Sequence, residues 1–205
     1  MSGTILAAFG LFALVASITP GPNNLMLLAS GVNFGFRRSI PHMLGVTLGF
    51  LAMLLVVGLG LAEFFARAPT FYRVVRWAGA LYLIYLAIRI ATSGPAKVET
   101  EGPNKSRPFG FFAAFMFQWV NPKAWAMAIT AFSTYVPAAT APAWILAVCL
   151  LFPLINLPCI STWVLFGTIL KRWLHEPRSA RVFNVVMALL LIASLAPMMD
   201  AGSPN

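Results

Sequence analysis

From Ala124 to Leu170 no residue carries a charge. In water such a stretch would have to be hidden inside a large core. In a bilayer it is what a spanning segment requires, because about 20 consecutive apolar residues cover the hydrocarbon thickness. The rest of the chain agrees. Of its 205 residues 60% are hydrophobic and 9% are charged, against about 25% charged in soluble domains. Too few charges remain to clothe a water-facing surface, so the sequence predicts an all-α integral membrane protein.

Six apolar segments are predicted to span: residues 5–31, 40–62, 74–90, 109–135, 143–170 and 182–199. The first and fourth are interrupted, one by Pro20-Gly21-Pro22-Asn23-Asn24 and the other by Asn121-Pro122-Lys123. The first segment is read as a retained helix and not a cleaved leader, because no Lys or Arg precedes Arg37. The whole of 1–205 is read as one transporter domain, with three-helix halves at 1–91 and 109–205 and a polar cytoplasmic loop at 92–108. Two halves of three helices must be inverted relative to each other, and each opens on a helix broken by proline. Paired broken helices are the sequence pointer to a transporter binding site.

The net charge of +9 would suit nucleic acid, but the basic residues sit in short segments between apolar runs, so no nucleic-acid partner is expected. They read instead as topology signals and lipid-headgroup contacts. With six spans, Arg37, Arg38, Arg89, Lys97, Lys105, Arg107, Lys171, Arg172, Arg178 and Arg181 share one side. Arg67, Arg73 and Arg76 share the other. The first side is therefore assigned to the cytoplasm and both termini to the outside.

The two breaks carry the candidate chemistry. Proline lacks an N–H and clashes with the carbonyl four residues back, so Pro20 releases the carbonyl of Ala16 and Pro22 that of Ile18. Gly21 is read as permitting the bend. Bare carbonyls cannot face lipid, and Asn23 and Asn24 add amide groups beside them. In the second break Lys123 is an ionisable residue at depth, a functional candidate that needs a partner. The five acidic residues, Glu63, Glu99, Glu101, Glu176 and Asp200, all fall in loops or at helix ends. Freed carbonyls, water or a substrate carboxylate remain as partners, and a snorkelling lysine is the plain alternative. The expected arrangement sets a zwitterionic substrate's carboxylate on Lys123 and its ammonium on the carbonyls of Ala16 and Ile18. The substrate-binding set is Pro20, Gly21, Pro22, Asn23, Asn24, Thr47, Asn121, Pro122 and Lys123.

Other features weigh less. Gly31-xxx-Gly35 and Gly45-xxx-Gly49 suit close helix packing. His42 could carry a proton, though a lone interfacial histidine is more often structural. Pro153, Asn156, Pro158, Ser161 and Thr162 make the fifth segment polar and bent, lining a path or bonding to its own backbone. Tyr82 and Tyr85 share a helix face. Cys149 and Cys159 read as inert, without metal spacing. No catalytic constellation, metal site or cofactor motif is present, and no cofactor is expected. A small-molecule substrate and membrane lipid are the expected partners, with a homodimer left open.

At Thr19-Pro20-Gly21-Pro22-Asn23-Asn24 the chain resembles the LysE/RhtB family of amino-acid exporters. Further likeness lies at Ser30 to Arg38, at Gly45 to Phe50, and at Trp77-Ala78-Gly79-Ala80-Leu81-Tyr82-Leu83. It continues at Arg89-Ile90-Ala91-Thr92-Ser93 and at Phe117-Gln118-Trp119-Val120-Asn121-Pro122-Lys123. The likeness is greatest to the cysteine and O-acetylserine exporter branch. It implies efflux across the bacterial inner membrane, coupled to protons. Family members that export basic amino acids tend to carry acidic residues at the positions of Thr47 and Met127. Both are neutral here, which implies small neutral amino acids or derivatives such as cysteine, O-acetylserine, homoserine or threonine. The fifth segment departs from the family pattern at Pro153 and Pro158. Two rival readings are a carrier for another small solute, such as a metal ion or drug, and, less favoured, an intramembrane enzyme.

Overall fold

The computed structural model describes residues 3–61, 69–92, 108–136, 142–172 and 177–194. Among these residues there are eight α-helices and no strand. The chain opens with α1 (Gly3–Ile18) and α2 (Pro22–Phe34), which meet at 53°. α3 (Phe36–Val56) follows after the corner at Gly35 and runs into a π-helical turn, Val57–Leu61. α4 is Pro69–Ala91 and α5 is the short Phe111–Phe117, extended by a 3₁₀ turn at Gln118–Val120. α6 (Pro122–Tyr135), the long α7 (Pro142–Leu170) and α8 (Pro177–Ala193) complete the chain.

Both predicted breaks are present, and proline chemistry explains them. α1 stops at Ile18 because Pro20 has no N–H to give, and α2 restarts with Pro22 in its first turn, where a missing N–H costs nothing. α6 restarts in the same way with Pro122 in its first turn, after Asn121 in an extended conformation. By contrast, Pro153 and Pro158 both lie inside α7, which is assigned as one helix of 29 residues. α4 and α8 begin earlier than predicted, at Pro69 and Pro177.

By length and apolarity, two described helical segments can cross a bilayer, Phe36–Gly60 (25 residues, mean hydropathy 2.3) and Ala143–Leu170 (28 residues, 2.2). The bent pair α1–α2 makes a third if it acts as one span. Ala80–Ala91 and Phe111–Val120 are apolar but shorter. The predicted loop lies outside the described residues from 93 to 107, as do all five acidic side chains.

Burial is arranged for a lipid environment. Leu11, Leu59, Leu81, Phe112, Leu154 and Leu189 are all at least 60% exposed, while Asn24, Asn33, Thr47, Gln118, Asn121, Asn156 and Asn184 are buried. Apolar side chains outside and amides inside define a helical membrane protein.

Small residues set the helix spacing. A Cβ on Gly31 would collide with the Val164 carbonyl, and one on Gly167 with the Leu28 carbonyl, so these two glycines bring α2 and α7 together. On α3, Gly45 meets the Phe111 carbonyl and Gly49 the backbone of Phe115, which seats α5 against it. The Gly45–Gly49 pair thus packs as predicted. The Gly31–Gly35 pair does not: Gly35 has open space around it and a φ of 78°, and it makes the corner between α2 and α3. An aromatic core closes one end, with Phe152 edge-on to Phe9 (5.8 Å between centroids) and to Phe50 (4.9 Å).

Gly31→Val should therefore overpack the α2–α7 seam, at a cost of about 1–3 kcal/mol. Purified in detergent, the variant should melt several degrees below the wild type, whereas Gly110→Ala, where a Cβ meets open space, should not. Equal melting temperatures for all three proteins would contradict the close approach.

Candidate substrate pocket

The ends of the two broken helices face each other, and each is completed by the other. Lys123, on the first turn of α6, crosses to the end of α1. Its Nζ donates to the Thr19 carbonyl at 2.7 Å, to Thr19 Oγ1 at 3.0 Å and to the Pro20 carbonyl at 3.2 Å. Asn23, on the first turn of α2, crosses the other way to Gln118 at the end of α5. Asn23 Nδ2 donates to Gln118 Oε1 at 2.8 Å, and Gln118 Nε2 donates back to Asn23 Oδ1 at 3.3 Å. At each break the residue after the restarting proline bonds to the end of the helical stretch that leads into the other break.

This pairing answers the search for a partner to Lys123. The ammonium sits at the negative end of α1, where carbonyls lack intrahelical N–H groups. Its partners are the carbonyls of Thr19 and Pro20, not those of Ala16 and Ile18. The latter two are already engaged, Ala16 by Thr19 Oγ1 (3.1 Å) and Ile18 by Trp163 Nε1 (3.2 Å). Asn24 Nδ2 takes up the Ser17 and Thr19 carbonyls, both at 2.8 Å. The carbonyls predicted to be bare are thus satisfied within the protein, as a low-dielectric interior demands.

The role of Gly21 also differs from the sequence reading. Its φ of −179° and ψ of 175° are ordinary extended backbone. A Cβ there would lie 2.7 Å from Lys123 Cδ. Glycine leaves room for the lysine stem to lie over the chain and does not make a bend.

A pocket with about 370 Å³ of empty space, open solvent at its mouth included, lies at this junction. Gly21, Asn23, Asn24, Asn121 and Lys123 of the predicted set line it. Pro20, Pro22 and Pro122 shape the two breaks but do not line the pocket. Thr47 lies elsewhere, on a neighbouring face of α3, with its hydroxyl bonded to the Met43 carbonyl at 2.9 Å. Val46 and Phe50 are the α3 residues at the pocket. Met127 lines the pocket too, whereas Asn121 also caps α6 by accepting from the Lys123 backbone N–H at 3.1 Å.

Gln118, Ser17 and Asn156 belong to the pocket as well, and none was in the predicted set. Asn156 reaches in from α7, where Nδ2 donates to Ser17 Oγ at 3.1 Å. Its Oδ1 is buried and accepts no hydrogen bond. An orphan acceptor in a buried polar pocket costs about 1–3 kcal/mol and is a place for a ligand's donor. The clue was an Asn inside a long apolar helix, which costs free energy to bury unless it has a use. Ser161 and Thr162, from the same run, merely bond to their own helix at Leu157 and Cys159. Cys149 and Cys159 are buried and free, and no group of His, Cys, Asp and Glu able to hold a metal occurs among the described residues.

The chemistry on offer is binding. One cation, one orphan carbonyl oxygen and the uncapped N-terminal turn of α2 line one small pocket. Polar groups gathered where two broken helices meet, inside an apolar helical shell, define a membrane carrier. The chain belongs to the family of LysE type translocators, whose profile matches residues 14–195. It is 38% identical over 197 residues to the cysteine/O-acetylserine efflux protein of Escherichia coli, covering 94% of this chain and 96% of that one. The cysteine/O-acetylserine efflux protein of Shigella sonnei matches to the same extent. These relatives are transporters, not enzymes. No solved structure matches the chain.

Breaking the amide pair should expose the coupling of the two breaks. Asn23→Leu and Gln118→Leu should each lower stability, and the double variant should lose less than the sum. The coupling expected for polar contacts between membrane helices is about 0.6 kcal/mol and up to about 1.7. Strict additivity in detergent unfolding would show that the pair does not act as a unit.

Proposed function

We propose that this protein exports small neutral amino acids or their derivatives, of the cysteine, O-acetylserine, homoserine or threonine type, across the bacterial inner membrane by proton-coupled alternating access. The observation that carries this reading is the Lys123 ammonium seated on the carbonyls of Thr19 and Pro20, beside the orphan Oδ1 of Asn156. A zwitterion can replace that contact on both sides. Its ammonium takes the α1 carbonyls or Asn156 Oδ1, and its carboxylate takes the released Lys123 and the positive end of α2. The lysine thus holds the two broken helices together when no substrate is bound, and substrate binding exchanges that bond for two others. A cationic side chain would add a charge that no described carboxylate can meet.

In this reading the chain is one domain of six spans, α1–α2, α3, α4, α5–α6, α7 and α8. Residues 1–91 and 109–205 form inverted halves joined by the cytoplasmic segment 92–108. The crossed bonds of Lys123 and Asn23, each from a first helical turn to the other half's leading helix, support that symmetry. Both termini face the periplasm, on the strength of the Lys and Arg asymmetry. The relatives' efflux of cysteine and O-acetylserine supports the substrate class.

Lys123→Met should abolish efflux of labelled O-acetylserine from cells while the protein still inserts, and Lys123→Arg should retain part of it, because the forked guanidinium fits a lysine seat poorly. Export by Lys123→Met at the wild-type rate would sink the mechanism and leave the lysine a helix-end tether.

Orientation has its own test. A reporter active only in the cytoplasm, fused after Asn205, should be silent, and a strong signal would reverse the topology.

A further inference from the structure

Among the described residues three buried side-chain atoms have no hydrogen-bond partner: both ring nitrogens of His42 and Oδ1 of Asn156. His42 does not line the substrate pocket; it packs edge-on against Phe109, 5.1 Å between ring centroids. Asn156 does line it, from α7, with a side chain only 6% exposed. The export reading gives the substrate's carboxylate to Lys123 and offers its ammonium the α1 carbonyls. That leaves the substrate's side chain without a counterpart, and Asn156 without a fixed one.

The group beside Asn156 is half used. Asn156 Nδ2 donates to Ser17 Oγ at 3.1 Å. Ser17 is 2% exposed, and among the described residues its hydroxyl makes no other hydrogen bond, so its own proton remains to be given. An acceptor without a donor and a donor without an acceptor thus stand side by side. A single ligand group meets both if it donates and accepts at once. A hydroxyl does so, a methyl does neither, and an ester carbonyl only accepts. Val46, Phe50, Met127 and Ile160 supply apolar wall, which raises the cost of leaving the two bonds unmade. Ser17 precedes Thr19 by two residues, about 3 Å along the helix axis. A side chain of one or two carbons spans that gap while the ammonium stays on the Thr19 and Pro20 carbonyls.

We propose that Asn156 and Ser17 form the specificity-determining pair of the carrier. Asn156 Oδ1 accepts from a hydroxyl on the substrate's side chain, and Ser17 Oγ donates to the same oxygen. The inference rests on the export reading for the ammonium and the carboxylate, and adds which side chains are chosen. Hydroxy-amino acids are preferred to their apolar isosteres, which leave both buried groups unpaired. They are also preferred to their O-acyl esters, which leave Asn156 Oδ1 unpaired.

The test compares threonine with valine, which has a methyl where threonine has the hydroxyl. Binding is measured by calorimetry on the full-length protein in phosphatidylcholine nanodiscs. Threonine should bind on the order of tenfold more tightly than valine. In Asn156→Leu the threonine-to-valine ratio should fall to about one, and in Ser17→Ala it should fall part of the way. Equal binding of the two amino acids by the wild type would overturn the inference, and that comparison decides alone should a variant not fold. An unchanged ratio in a folded Asn156→Leu, with both affinities lowered, would put the ammonium on Asn156 and overturn it too. So would asparagine binding more tightly than threonine, which would make the pair a carboxamide site. Efflux of threonine and valine from cells without discrimination in binding defeats the specificity pair alone. Discrimination in binding without efflux defeats the export reading alone.

Discussion

Everything in this structure follows from the cost of an unsatisfied backbone group in hydrocarbon. Two apolar helical stretches are interrupted by proline, and each interruption exposes carbonyls at one helix end and N–H groups at the next. Lipid offers neither donors nor acceptors, so the exposed groups must be met from within. The protein meets them by turning the two interruptions toward each other. Lys123 donates to the end of α1, Asn24 to the carbonyls of Ser17 and Thr19, and Trp163 to Ile18. Asn23 and Gln118 close the other crossing.

That solution dictates the packing. For the breaks to meet, α2 must lie close on α7 and α5 close on α3, and glycines stand at both seams: Gly31 with Gly167, and Gly45 with Gly49. Gly21 serves the same end at the junction, where the lysine stem passes over bare backbone. Apolar bulk is pushed outward to face lipid, and the amides are gathered inside. The pocket is what remains between helix ends that satisfy one another incompletely, with Asn156 Oδ1 as the group left over.

Much of this was legible in advance. The positions of the breaks and the freed carbonyls as partners for Lys123 come from local rules about proline and charge. The contribution of Thr47 was not legible: one position on α3 separates a residue that lines the pocket from one that does not, and helix rotation about its axis is set by packing. Gln118 escaped notice because a lone glutamine inside an apolar run gives no sign of which distant amide it will face. Gly21 was noticed but assigned a bend, since a sequence cannot reveal that a lysine a hundred residues away needs its space. Gly35 looked like a packing glycine by its spacing and proved to be a corner by its positive φ.

The sequence by itself determined that the chain lives in a membrane, where its helices break and which residues stand at the breaks, because hydrocarbon length, proline's missing N–H and charge scarcity act locally or on composition. Only the tertiary structure decided what each break faces: that Lys123 is seated on Thr19 and Pro20, that Asn23 pairs with Gln118, that Asn156 keeps a free oxygen in the pocket, and that His42 is buried with both nitrogens unpartnered. Those contacts join residues far apart in the chain, and their partners are chosen by how the helices pack and rotate against one another, which no local rule specifies.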